Sequence, residues 1–111
     1  MATLVEMRDI TRPYERAYGR KRQYTETVTD DTSGAVLVPV DADYVAVVVD
    51  PGTDALVQFT TGSYAAIEAD TAIWVDWDEG TVTEKASSEV SGSVTALRLV
   101  STGASTWEIT A

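Results

Sequence analysis

The sequence contains no cysteine and no histidine. Without thiols it can form no disulfide, no cysteine nucleophile and no cysteine-based zinc site. Without imidazole, the Ser-His and Cys-His pairings of hydrolases are closed as well. Catalysis would fall to carboxylates, lysine and tyrosine, so the composition disfavours an enzyme. Beyond position 22 the only basic residues are Lys85 and Arg98. No apolar run approaches the roughly 18 residues of a membrane span, so no membrane partner is expected. The start, Met1 to Arg8, has no basic segment leading into an apolar one. It therefore does not read as a signal peptide, and cytoplasmic synthesis is the expectation.

The 111 residues, 44% of them hydrophobic, suit one domain with a modest core. The net charge of -10 is unevenly placed. The first 22 positions hold six basic residues against three acids, a balance of +3, and the remainder holds two against fifteen, a balance of -13. Such asymmetry points to contacts between segments or between copies. Residues 1–23 do not read as strand and are expected to form a basic N-terminal arm. A short helix could start near Thr11 and Pro13 and end by Gly19.

From Tyr24 the pattern changes to β-branched alternation, and residues 24–111 read as one β domain. Strands are expected over Tyr24–Thr29, Ala35–Val40, Tyr44–Val49 and Ala55–Thr60. Further strands are expected over Tyr64–Ala69 (weakly), Thr71–Trp77, Thr81–Lys85, Val94–Val100 and Thr106–Thr110. Tyr44 to Val49 is apolar throughout, as for a strand covered on both faces. Pro51-Gly52 predicts a type II turn with positive φ at Gly52, which makes Tyr44–Thr60 a hairpin. Gly103 is read as the centre of a second hairpin. Asp78 to Gly80 is read as a turn and Ser87 to Ser93 as a loop. Trp77, Trp107 and Ile109 are expected in the core, and Leu97 and Leu99 on one face of their strand, opposite Val94, Ala96 and Arg98. The fold class is all-β: an antiparallel sandwich, or a jelly-roll-like small barrel, of about eight short strands.

The arm mixes Arg8, Arg12, Arg16, Arg20, Lys21 and Arg22 with Tyr14 and Tyr18. Arginine and tyrosine are enriched at protein interfaces, so docking on a protein is the first reading. A solvated tail comes second and nucleic acid third, because the acidic body repels a polyanion. Trp74, on the strand face away from Trp77, is the remaining candidate contact; core or subunit interface is favoured over ligand stacking. Asp76, Asp78 and Glu79 lack the spacing of a calcium loop and read as a solvated turn. No catalytic, cofactor or metal residue is assigned, and no cofactor is expected.

The stretch Ser91 to Gly103, with Thr95-Ala96-Leu97-Arg98 running into a glycine turn, is followed by Ser105-Thr106-Trp107-Glu108-Ile109. It resembles a pattern common in small structural proteins of tailed bacteriophages. Thr71 to Trp77 fits the same style, and the resemblance covers residues 36–111. It implies a β-sandwich on the virion head or tail, a trimer or ring, with no enzymatic activity. The expected function is therefore a non-enzymatic virion protein, in first place a head decoration or cement protein whose partners are capsid or other virion proteins. A neck or tail subunit, a carbohydrate-binding module using Trp74 or Tyr64, and a small hydrolase with paired carboxylates stay open as alternatives.

Overall fold

The computed structural model describes residues 3–14, 20–42 and 44–111. Among these are ten strands: β1 (Leu4–Glu6), β2 (Arg8–Asp9), β3 (Arg22–Thr29), β4 (Ala35–Leu37), β5 (Tyr44–Asp50), β6 (Asp54–Thr60), β7 (Val75–Val82), β8 (Ala86–Ser91), β9 (Ala96–Thr102) and β10 (Ala104–Thr110). One short helix, α1 (Tyr64–Glu68), lies between β6 and β7. The strands form two five-stranded sheets in the orders β1-β4-β9-β6-β7 and β2-β3-β10-β5-β8. All pairs are antiparallel except β1 with β4. The expected all-β sandwich is the fold.

The core lies between the sheets, where period-2 alternation delivers one set of side chains from each strand. Val45, Val47 and Val49 of β5 meet Val57 of β6, Leu97 and Leu99 of β9, and Trp107 and Ile109 of β10. Trp77 and Trp107 are both buried, as the sequence predicts. Tyr24 packs edge-on against Trp107, with centroids 6.4 Å apart, and Glu26 accepts the indole N–H at 3.4 Å. Burial first, and then Glu26, pushes the Tyr24 hydroxyl up to about 12.

The expected hairpins are not hairpins. β5 and β6 belong to opposite sheets, as do β9 and β10, so each connection is an arch across the core. Gly52 is not among the glycines with positive φ, so the type II turn does not form. Gly52 is required for a steric reason instead: a Cβ there would lie 2.4 Å from the backbone nitrogen of Ala104. β5 is covered on its inner face alone, with Tyr44 and Val48 exposed on the other.

Further differences follow from local chemistry. Tyr64–Glu68 is helix and not strand, because Ser63 caps it, its Oγ accepting from the N–H of Ala66 at 3.1 Å. Ile67 of α1 packs on Ala35 and Ala96 and covers part of the outer face of the first sheet. The Asp78–Gly80 turn signal makes an irregularity inside β7, where the register to β6 shifts between Leu56 and Gln58. Gly80 takes φ +62° there, and Trp77 donates its indole N–H to the Gly80 carbonyl at 2.7 Å. Ala86–Ser91 is a strand despite its serines, because it pairs along the length of β5.

Residues 4–9, expected to lie outside the sheets, supply an edge strand to each: β1 beside β4 and β2 beside β3. Residues 10–14 and 20–21 are thus the described part of a β2–β3 loop between paired strands. The short helix expected from Thr11 falls mostly on residues outside those described.

Candidate protein-docking site

The base of the β2–β3 loop is built by backbone pairing. Arg8 faces Gln23 and Asp9 faces Arg22, and the Ile10 N–H donates to the Lys21 carbonyl at 2.8 Å. The Lys21 N–H donates to Thr11 Oγ1 at 2.6 Å. Two of the predicted contact cations reinforce this base. Arg20 donates to Asp9 Oδ2 at 3.0 Å, and Arg22 grips Asp41 with two bonds, 2.8 and 3.1 Å. That fork-on-carboxylate geometry orients as well as attracts. Arg20 and Arg22 are therefore braces for the loop more than free contacts.

Farther out, Arg12 donates to the Tyr14 hydroxyl at 3.2 Å, and Tyr14 is 71% exposed. Ile10 is exposed beside them, as are Arg8 and Lys21. Arg8, Arg20, Lys21 and Arg22 thus stand at the base of the loop, with Arg12 and Tyr14 beyond it. Arg16 and Tyr18 lie outside the described residues.

Trp74 is elsewhere. It is half-buried, and the Arg98 guanidinium stacks on its ring at 4.3 Å. Arg98 donates through Nε to Gln58 Oε1 at 2.8 Å, and Gln58 in turn donates to Asp76 Oδ1 at 3.0 Å. Burial lowers the Arg98 pKa below its ordinary value, and the charge of Asp70 opposes that. Trp74 thus seals the outer face of the first sheet next to Ile67 and Ala72. A cavity of about 250 Å³ beside it is lined by Arg98, Asp70 and Ser33.

Tyr64 lines a separate, open groove of about 790 Å³, together with Val38, Val40 and Val94. Among the described residues, no carboxylate lines that groove. The two aromatics weighed for sugar stacking therefore do not share a platform. Among the described residues, no three carboxylates converge as a metal site would need.

The brace at the loop base is pH-sensitive. Hydrogen bonds from Thr11, then the pairing with Arg20, lower the Asp9 carboxyl from 3.8 to about 2. A carboxyl whose pKa falls on folding stabilises the folded form above its unfolded value and loses that effect as pH drops through the folded one. The contribution of Asp9 is thus complete above about pH 4 and gone below about pH 2. Amide exchange at Thr11 and Lys21 is expected to quicken across that window while the Trp107 amide stays protected. Uniform exchange at both places would refute a local brace.

Loop bases of this kind are hard to read from sequence. Thr11 and Asp41 carry no motif; the charge segregation pointed to the region, and only the β2–β3 pairing shows where it is held. Compared with known proteins, this chain matches no family model and no curated protein. Among solved structures it is similar to one described in the words "Bacillus endospore appendages form a novel family of disulfide-linked pili". The two share 18% identity with a TM-score of 0.48, over 81% of this chain and 79% of that one. The present sequence has no cysteine for such links.

Proposed function

We propose that this chain is a non-enzymatic structural subunit of a bacteriophage virion, a head decoration or cement protein that docks on neighbouring virion proteins through its β2–β3 loop. The observation that carries this reading is the braced projection of Arg12 and Tyr14 from the edge of a rigid sandwich. Bracing by Arg20–Asp9 and Arg22–Asp41 orders the loop base before any partner arrives. That lowers the entropy cost of association. Exposed arginine and tyrosine are among the residue types that most often dominate binding energy. The acidic remainder of the chain disfavours nucleic acid as partner.

Deleting residues 1–23 would remove β1, β2 and the start of β3, so it would test folding and not docking. The pair Arg12→Ala with Tyr14→Ala changes exposed side chains only. It is expected to weaken attachment to particles by about 2–4 kcal/mol, the scale of a binding hot spot. Peptide mass spectrometry of density-banded particles measures this as copies per major capsid subunit. Unchanged occupancy would defeat the loop's role. Absence of the parent chain from particles would defeat the virion reading itself.

A further inference from the structure

The reading above leaves the loop's immediate partner open, and the opposite side of the molecule supplies one. In the sheet orders, β1 and β2 form one lateral side of the sandwich, and β7 and β8 form the other. The basic loop leaves the first side. The second side presents β7, an edge strand bonded to β6 alone. On and just before β7, Ile73 is 81% exposed and Val75 is 49% exposed. Asp76, Asp78 and Glu79 follow, all exposed.

Acids on an edge strand ordinarily guard it against unwanted pairing. They do not account for a neighbouring isoleucine and valine left in water. Apolar residues ringed by charge are the composition of a docking surface. The loop side is its counterpart, with Ile10 and Tyr14 exposed among Arg8, Arg12 and Lys21.

The loop base and the start of β7 also sit at one pole. β3 begins at Arg22, beside Ala111, and β5 begins at Tyr44, opposite Ser91, where β8 ends. From Ser91 the chain runs through residues 92–95 into Ala96, which pairs with Thr60. Val75 pairs with Phe59, next to Thr60. The loop base and the start of β7 thus lie at one end of the sandwich and on opposite flanks, a sheet width of about 19 Å apart, while Asp78 and Glu79 stand farther along β7, between the Asp76–Gln58 and Thr81–Leu56 pairs. A flank-to-flank contact between copies staggered along the strands can engage both without turning a subunit over.

Resting on the structural reading above, we propose that residues 8–14 of one copy dock on the β7 edge of a second copy of this chain. The contact is head-to-tail: Arg8, Arg12 and Tyr14 of one subunit meet Ile73, Asp78 and Glu79 of the next. A repeated head-to-tail contact closes into a ring when its rotation allows and otherwise extends as a filament.

The test uses the full chain in sedimentation velocity. The parent is expected to associate with rising concentration, and the association should weaken at least about tenfold between about 0.05 and 0.5 M salt. A loop variant (Arg8→Ala, Arg12→Ala, Tyr14→Ala) and an edge variant (Ile73→Lys, Asp78→Lys, Glu79→Lys) each lose one half of the contact, and each alone should be monomeric. Mixed in equal amounts they retain one intact interface between them and should form a dimer that grows no further. A contact of loop on loop or of edge on edge would not produce that dimer, and a two-fold pairing of loop with edge would stop the parent itself at a dimer. A monomeric parent at about 1 mM, variants that still associate, or a mixture that stays monomeric would each overturn the proposal. Folding of each variant is checked by its near-ultraviolet tryptophan signal. The particle assay is independent: a monomeric parent that still decorates particles would sink self-docking and leave the virion reading standing.

Discussion

Replacing Trp107 with alanine is expected to lower the unfolding free energy by about 3–5 kcal/mol. Against a total of about 5–15 kcal/mol for a domain of this kind, that brings the protein close to unfolding. Trp107 is 1% exposed and lies on β10, the central strand of its sheet. It shares the core with Val47 and Val49, stands opposite Val49 in the ladder, and packs against Tyr24 edge-on. Truncation removes one of the two buried tryptophans of the core and leaves a cavity that two hydrogen-bonded sheets cannot collapse to fill. It also strips Glu26 of the indole donor, returning a half-buried carboxylate to water or to nothing. Thermal unfolding should move down by at least about 12 °C. Trp107→Phe retains most of the volume and should cost clearly less. An alanine variant melting within about 3 °C of the parent would show that the packing around Trp107 is not the centre of stability.

The second large effect is expected at Gly52, where alanine should cost about 2–4 kcal/mol through overpacking and a displaced hydrogen bond. The turn between β5 and β6 and the turn between β9 and β10 press on each other at one pole of the sandwich. An added Cβ on Gly52 would stand 2.4, 2.7 and 2.8 Å from the nitrogen, oxygen and carbonyl carbon of Ala104. These are backbone atoms, so relief requires moving a turn and not rotating a side chain. That turn is tied down: the Gly52 N–H donates to Ser105 Oγ at 3.0 Å, and Thr53 donates to the Thr102 carbonyl at 2.9 Å. Ser105 is 0% exposed and shares a 2.7 Å hydrogen bond with Ser101 Oγ, which also reaches the Val28 carbonyl at 2.8 Å. Moving the turn breaks into a buried polar chain whose members have no water to fall back on.

Gly80→Ala is the informative comparison. Gly80 has φ +62° but nothing within 4 Å of an added Cβ, so it carries the left-handed penalty alone, about 1–2 kcal/mol. Urea titration of the two variants separates close approach from backbone conformation. Equal losses in both would mean that the Gly52 approach relaxes freely.

The all-β class, the alternation of the inner faces and the core residues Trp77, Trp107 and Ile109 were legible in the sequence, as was the shared face of Leu97 and Leu99. A side chain that must leave water every second residue announces its strand wherever that strand lies. The charge separation was legible too, since it is composition and needs no geometry. Which strands pair was not. Val45, Val47 and Val49 facing Ala55 and Val57 produce one pattern whether the connection is a hairpin within one sheet or an arch between two. Only the closing of both sheets around the core selects the arch, and with it the need for Gly52. The helix at Tyr64–Glu68 was too short to show a period and depended on the Ser63 cap. The polar strand Ala86–Ser91 exists because β5 offers it hydrogen bonds, which serine-rich composition does not advertise. The loop shows the same division. Its arginines and tyrosines stand in the sequence for anyone to count, whereas its anchoring depends on Asp41, nineteen residues from Arg22. That contact appears only after β3 and the segment following β4 are brought to the same pole, because an ion pair between exposed side chains is a consequence of packing and not its cause.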